Sequence, residues 1–226
     1  MSFIKKLNDV VDELKSNPAI FVAHYQILPA DLEAIDKVEK ALGYKLADSI
    51  TNFYKECGGI QLLWLNEYND DFDKVKENFI SDGPLDDWFI KGNRVDFSPE
   101  GCIWIPSIET VFWTNWSENG IVFEIDDFDA SITKNFKDFK IQIFDWFSTF
   151  NDVAFLINGT SNPPLVLGDD NQATYRDSHF IDFDLYLELL LKSKGDVDIR
   201  ADFLNKYSND SIEGFVKAED IENIEI

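Results

Sequence analysis

The stretch from Leu28 to Leu65 constrains the fold more than any other, because two helix patterns end there in a forced change of backbone at Gly58-Gly59. Pro29 can open the first helix, with Asp31 and Glu33 in its first turn, where the positive end of the helix dipole favours anions. Leu32, Ile35, Val38 and Leu42 recur at helical spacing, and Gly43 stops the run. A second helix starts near Asp48, with Leu46, Ile50, Phe53, Tyr54 and Cys57 as its apolar stripe. Gly58-Gly59 then releases the chain into Ile60-Gln61-Leu62-Leu63-Trp64-Leu65, which is too apolar and β-prone for a loop.

Ahead of this stretch, Phe3, Leu7, Val10, Val11 and Leu14 are helically spaced, with Asn8, Asp9, Asp12 and Glu13 interleaved. That pattern predicts an amphipathic helix closed by Asn17-Pro18, not the apolar core of a secretory leader. Residues 1–27 are taken as this helix and a lead-in. Residues 66–100 look like an insertion: the segment Asn66 to Asp73 is polar, and Ser81-Asp82-Gly83-Pro84 and Ser98-Pro99-Glu100-Gly101 are turn clusters. Trp88, Phe89 and Ile90 lie between those clusters and are expected to pin the excursion to the body.

Pattern resumes at Cys102-Ile103-Trp104-Ile105-Pro106, a short strand ended by proline. Ile108, Val111 and Phe112 suggest a short helical or extended segment. Strands are expected at Ile121 to Ile125, Lys140 to Phe144, Asp152 to Ile157 and Pro164 to Leu167, joined closely enough to pair antiparallel. Asp182 caps a helix whose Phe183, Tyr186, Leu187, Leu190 and Leu191 face inward, with Lys192 and Lys194 in its last turn and Gly195 at its end. Residues 196–226 read as an acidic appendage in which Ala201 to Tyr207 make a turn or two of helix.

The order of these signals resembles the SUKH superfamily of immunity and cell-wall-regulator proteins. Leu46-Ala47, Phe53-Tyr54 and Cys57-Gly58-Gly59 stand where that family is similar to Leu-Pro, an aromatic-leucine pair and Asn-Gly-Gly, although Ala47 and Cys57 depart from the pattern. Asn151-Asp152 with Ala154 to Ile157, then Pro164 to Leu167, resemble its central strands, and Asp182-Phe183 with Tyr186-Leu187 its closing helix. The resemblance implies an α+β fold over residues 28–195, with helices on the N-terminal side, a central, mainly antiparallel sheet and a closing C-terminal helix.

Charge adds a second constraint. Forty-three acidic residues against twenty basic ones leave a formal net charge of −23, which would repel a phosphate backbone and argues against direct binding of nucleic acid. The same field suits a basic protein partner, and it equally suits solubility alone. No apolar stretch approaches the roughly 20 residues that span a bilayer. Cys57 and Cys102 are too few for a disulfide framework, so reduced thiols in a cytoplasmic protein are expected.

Catalytic chemistry finds few parts in this sequence. His24 and His179 are the only histidines, neither stands in a triad pattern, and both read as surface or capping residues. Zinc spacing and a phosphate loop are missing, so no cofactor or metal is assigned. Asp127, Asp129, Ser131, Asn135 and Asp138 superficially follow the ligand order of a calcium loop, but Ile132 stands where that loop needs glycine. An acidic turn is the better account there, and also at Asp169-Asp170-Asn171.

Recognition remains. The acidic turns at Asp126, Asp127 and Asp129 and at Asp169 and Asp170, with Trp113 and Trp116, have the composition of an interface for a basic partner, although the tryptophans suit a core equally well. By resemblance, the expected role is a non-catalytic immunity protein that neutralises a cognate toxin, plausibly a basic nuclease. An intracellular scaffold or regulator of cell-wall synthesis is the alternative, and a carboxylate-dependent glycoside hydrolase the remote one.

Overall fold

The computed structural model describes residues 2–79, 98–114, 140–148, 151–157, 159–169, 180–206, 216–222 and 224. Helix α1 (Phe3–Ser16) is capped by the Ser2 side chain, which accepts from the Lys5 amide, and buries Leu7, Val11 and Leu14. Helix α2 (Leu32–Leu42) starts at Asp31, whose carboxylate accepts from the Glu33 and Ala34 amides, and ends at Gly43. Helix α3 (Asp48–Glu56) buries Ile50, Phe53 and Tyr54, as its spacing predicts. Leu32 departs from its expected stripe and is 60% exposed. Its place on the inner face goes to Ala34 and Glu39, and the Glu39 carboxylate accepts from the Leu46 amide and from Lys45 to close the turn into α3.

The lead-in expected before α2 is a strand. β1 (Ile20–Leu28) pairs antiparallel with β2 (Gly59–Asn66), which pairs antiparallel with β3 (Gly101–Ile105). A division between residues 27 and 28 therefore cuts across one sheet and marks no structural boundary. Gly58 makes the junction possible. Its amide donates to the Leu28 carbonyl at 2.7 Å, and a Cβ there would stand 2.0 Å from the Pro29 carbonyl oxygen. Only a residue without a side chain lets the end of β1 pass so close.

Pairing places Ile60, Leu62 and Trp64 on one face with Ile105 and Ile103. On that face Tyr25, paired with Leu62, donates from its hydroxyl to Asn8 of α1 at 2.8 Å. Leu65, one residue out of phase, packs on the other face against Phe72 and Val75 of helix α4 (Phe72–Asn78), with Phe21 alongside. The front of the expected insertion is thus docked. Trp88, Phe89 and Ile90 lie outside the described residues.

A second antiparallel sheet runs in the order β4 (Lys140–Trp146), β5 (Asn151–Ile157), β6 (Leu165–Asp169), β7 (Phe180–Ile181). Among the described residues the fold is therefore mixed α+β with two antiparallel sheets, where a single central one is expected. Helix α5 (Ile108–Trp113) follows β3, helix α6 (Phe183–Lys192) follows β7, and helices α7 (Val197–Lys206) and α8 (Ala218–Glu222) are the last elements among the described residues. Phe53, Phe144, Phe155 and Phe183 knit α3, β4, β5 and α6 together, with neighbouring rings 5.1 to 5.9 Å apart.

The C-terminal segment is no loose appendage. Phe203, Val216 and Ile221 are buried in the same core, and the Val216 amide donates to the Phe180 carbonyl. Wide spacing of these three apolar residues among acids hides them from a periodicity argument. The strand expected at Ile121 to Ile125 and the calcium-like turn lie outside the described residues.

Candidate interaction surface

Pro106 ends β3, and Ser107 at once begins α5, its hydroxyl accepting from the Thr110 amide at 3.2 Å. Ile108, Val111 and Phe112 point into the core, which leaves Glu109 and Trp113, four residues apart, on the outer face. Glu109 is tied to Lys37 of α2 at 3.3 Å. Trp113 is 48% exposed, a large aromatic left half in water beside an ion pair. Across that pair, α2 presents Asp31, Glu33 and Asp36 to solvent, and exposed Leu32 stands between the first two.

A second group of carboxylates lies at the start of α6. Asp182 caps the helix by accepting from the Asp184 amide, while its other oxygen accepts from the Asn162 side chain at 3.2 Å. Burial, with the nearby charges of Asp182 and Glu188, raises the pKa of Asp184 above the ordinary carboxylate value. Like charges crowd here without a cation to relieve them in the interactions described.

Of the residues expected to form one patch, the structure places Trp113 on the surface and Asp169 at the end of β6. Asp169 pairs with Asn151 there, so it is a strand residue and not part of a turn. Trp116, Asp126, Asp127, Asp129 and Asp170 lie outside the described residues, as does His179. His24 is not a surface residue. It is buried on β1, with Nε2 3.2 Å from the Gln61 side-chain oxygen, and burial lowers its pKa. A ring held near neutral by burial is a packing element of the sheet.

A cluster of buried polar groups that sequence patterns do not announce joins β4, α6 and α7. The β4–β5 register shifts between Ile143 and Asp145, so Phe144 and Asp145 both contact α6, and the bulge aims the Asp145 carboxylate into the core. That carboxylate accepts from the Tyr186 hydroxyl at 2.7 Å, from Arg200 Nη1 at 2.8 Å and from the Trp104 amide at 2.8 Å. Arg200 is wholly buried, lies 4.1 Å from the centre of the Phe147 ring, and also donates to the carbonyls of Cys102, Gly195 and Asp196.

Burial opposes the Arg200 charge, yet Tyr186 and Asp145 outweigh it and hold its pKa above the usual value. Burial and Asp145 push the Tyr186 hydroxyl well up. Both charged members have zero exposure and are spent on internal bonds, so the cluster meets no solvent and is built to join elements. One signal could have found it: seventeen of the twenty basic residues are lysine, and Arg200 is one of only three arginines. Arginine is the cation that forks across several buried acceptors.

Among the described residues, no three His, Cys, Asp or Glu side chains gather to hold a metal ion, and no helix is long and apolar enough to cross a membrane. Comparisons with protein-family models, curated proteins and solved structures found no match to this chain.

Proposed function

We propose that this chain is a stoichiometric binding protein for a basic partner, an immunity protein of the SUKH type that neutralises a cognate toxin by occupying its cationic surface. The observation that carries the proposal is the half-exposed Trp113 on a protein of net charge −23, one helical turn from Glu109, which is tied to Lys37 of α2. Aromatic anchors that become buried on association supply most interface affinity, and surrounding charge steers the encounter and selects the partner. Two further features support it. The order helix, helix, strand over Leu32 to Asn66, and the Asp182-capped α6, agree with the resemblance in the sequence. Carboxylates crowded at Asp184 would gain from a lysine or arginine placed against them.

Such a protein works without turnover. Its carboxylates compete with phosphate for the basic surface of a nuclease, so binding and inhibition have the same dependence on concentration.

The test is calorimetry and size-exclusion with the product of the adjacent gene. A one-to-one complex is expected at low salt, weakening as salt rises. Trp113→Ala is expected to weaken it at least about tenfold, with the urea midpoint of the free protein unchanged. Absence of a complex at low salt, or an acidic partner bound independently of salt, refutes the proposal.

A further inference from the structure

Every second backbone position of β3 points away from β2, and these outward groups are satisfied in an unusual way. The Cys102 amide donates to the Gly195 carbonyl at 2.9 Å, and the Val197 amide donates to the Glu100 carbonyl at 2.7 Å. Gly101 and Asp196 form an isolated antiparallel bridge between them. The chain reaches this alignment through two left-handed residues, Lys194 (φ 55°) and Gly195 (φ 76°). It is held on entry by the Trp64 indole, which donates to the Lys194 carbonyl. Further along β3, the Cys102 carbonyl accepts from Arg200 and the Trp104 amide donates to Asp145. A short strap after α6 and two charged side chains thus stand where a neighbouring strand would.

Among the described side chains of the strap, Phe203 is the one apolar group buried in the core, Val197 packs partly buried against that core, Ile199 and Ala201 are partly exposed, and Arg200 is the most deeply enclosed. Segments held by few buried apolar groups open more readily than the core around them. We propose that residues 195–206 are a strap over the outer edge of β3 that opens independently of the two sheets, with Arg200 as its latch. When Arg200 leaves Asp145 and the Cys102 carbonyl, the strap lifts about Lys194-Gly195. The edge at Gly101 and Cys102 is then bared, while the Trp104 amide stays on Asp145 and the inner ladder to β2 stays closed.

Native-state hydrogen exchange on the full chain tests this within one strand. The amides of Cys102 and Val197 belong to the strap, whereas residue 103 faces β2, opposite Leu62. In the wild type, Cys102 and Val197 are expected to exchange at least about tenfold faster than Ile103, with a weaker dependence on urea. Arg200→Met is expected to speed Cys102 and Val197 a further tenfold or more. Val38→Ala, in α2, lowers global stability without touching the strap, and is expected to speed Ile103 while leaving Cys102 and Val197 near their wild-type rates, so that the ratio of Cys102 to Ile103 rates falls. Should Cys102 and Ile103 exchange at one rate with one urea dependence in the wild type, strap and sheet open only together and the proposal fails. Equal acceleration of both amides in Arg200→Met removes Arg200 as the latch.

Discussion

Substituting alanine at Gly58 separates steric from conformational cost more cleanly than any other change in this protein. The added methyl would lie 2.0 Å from the Pro29 carbonyl oxygen and 2.9 Å from its carbon, both backbone atoms that no rotamer change can move aside. An unstrained carbon–oxygen contact needs more than 1 Å of extra room, given well depths that begin near 3.5 Å. The chain cannot retreat freely, because the Gly58 amide is bound to the Leu28 carbonyl at 2.7 Å and Leu28 is paired with Gly59.

Overpacking costs about 1–3 kcal/mol, and a loosened buried hydrogen bond adds roughly 0.5–1.5 kcal/mol. Reduced freedom of the unfolded chain returns about 0.4–1 kcal/mol. The net expectation for Gly58→Ala is a loss of about 0.5–4 kcal/mol. Gly43→Ala is the control: its φ is +79° and nothing lies within 4 Å of the added methyl, so only the left-handed backbone penalty of about 1–2 kcal/mol applies. Urea unfolding followed by tryptophan fluorescence measures both, with the slope checked for two-state behaviour. A Gly58→Ala midpoint within error of the wild type would show that the α3–β2 turn is not wedged against Pro29, and the argument for the glycine fails.

Three further changes probe the buried groups and the acids. Asp145→Asn leaves Arg200 charged in the core without its carboxylate and is expected to cost about 3–5 kcal/mol by urea unfolding, whereas the apolar pair Asp145→Leu with Arg200→Met recovers part of that loss. Cys57 and Cys102 are buried, and burial pushes the Cys57 thiol up to about 12 and the Cys102 thiol higher still, so neither is expected to react with a disulfide reagent at neutral pH until urea unfolds the chain. Asp184 has a folded pKa above its unfolded value, so its favourable contribution is complete below the ordinary carboxylate pKa and is lost as pH rises through the raised value. Asp184→Asn is therefore expected to be more stable than the wild type at neutral pH, with the difference closing as pH falls through the carboxylate range in parallel urea titrations.

How much of this was legible in the sequence depends on the range of the physics involved. Caps and periodicity act over a few residues, and they located α1, α2, α3, β2, β5 and α6 from apolar spacing and the Asp182 cap, although α2 starts at Leu32 with Asp31 as its cap and not at Pro29. β1 was missed although Ile20, Phe21, Val22, Tyr25 and Ile27 are β-prone, because both of its faces are half covered and no alternation survives. The split into two sheets was not legible. Where β3 meets β4, the Trp104 amide is bound by the Asp145 side chain, which also holds Arg200, fifty-five residues away in the chain, and no local pattern links these groups. Of the expected interface, the exposure of Trp113 was even odds from sequence, since Phe112 beside it is buried and only the helix phase separates them.

The separation between what holds this protein together and what it offers to solvent has a consequence for the proposed function. Gly58, Asp145, Tyr186 and Arg200 are enclosed and make their bonds inward. Glu33, Asp36, Trp113 and Asp184 contribute little to the core, and Asp184 is held at some electrostatic expense. Substitutions among the second group can alter charge and shape with small effects on folding, typically within about 0.5 kcal/mol for exposed positions away from caps. A binding protein that must follow a changing partner needs that freedom, because specificity is a difference of affinities set by surface charge and fit. Under the proposed function, these exposed residues can be exchanged to suit a new partner while the buried arginine and the wedged glycine keep the same scaffold underneath them.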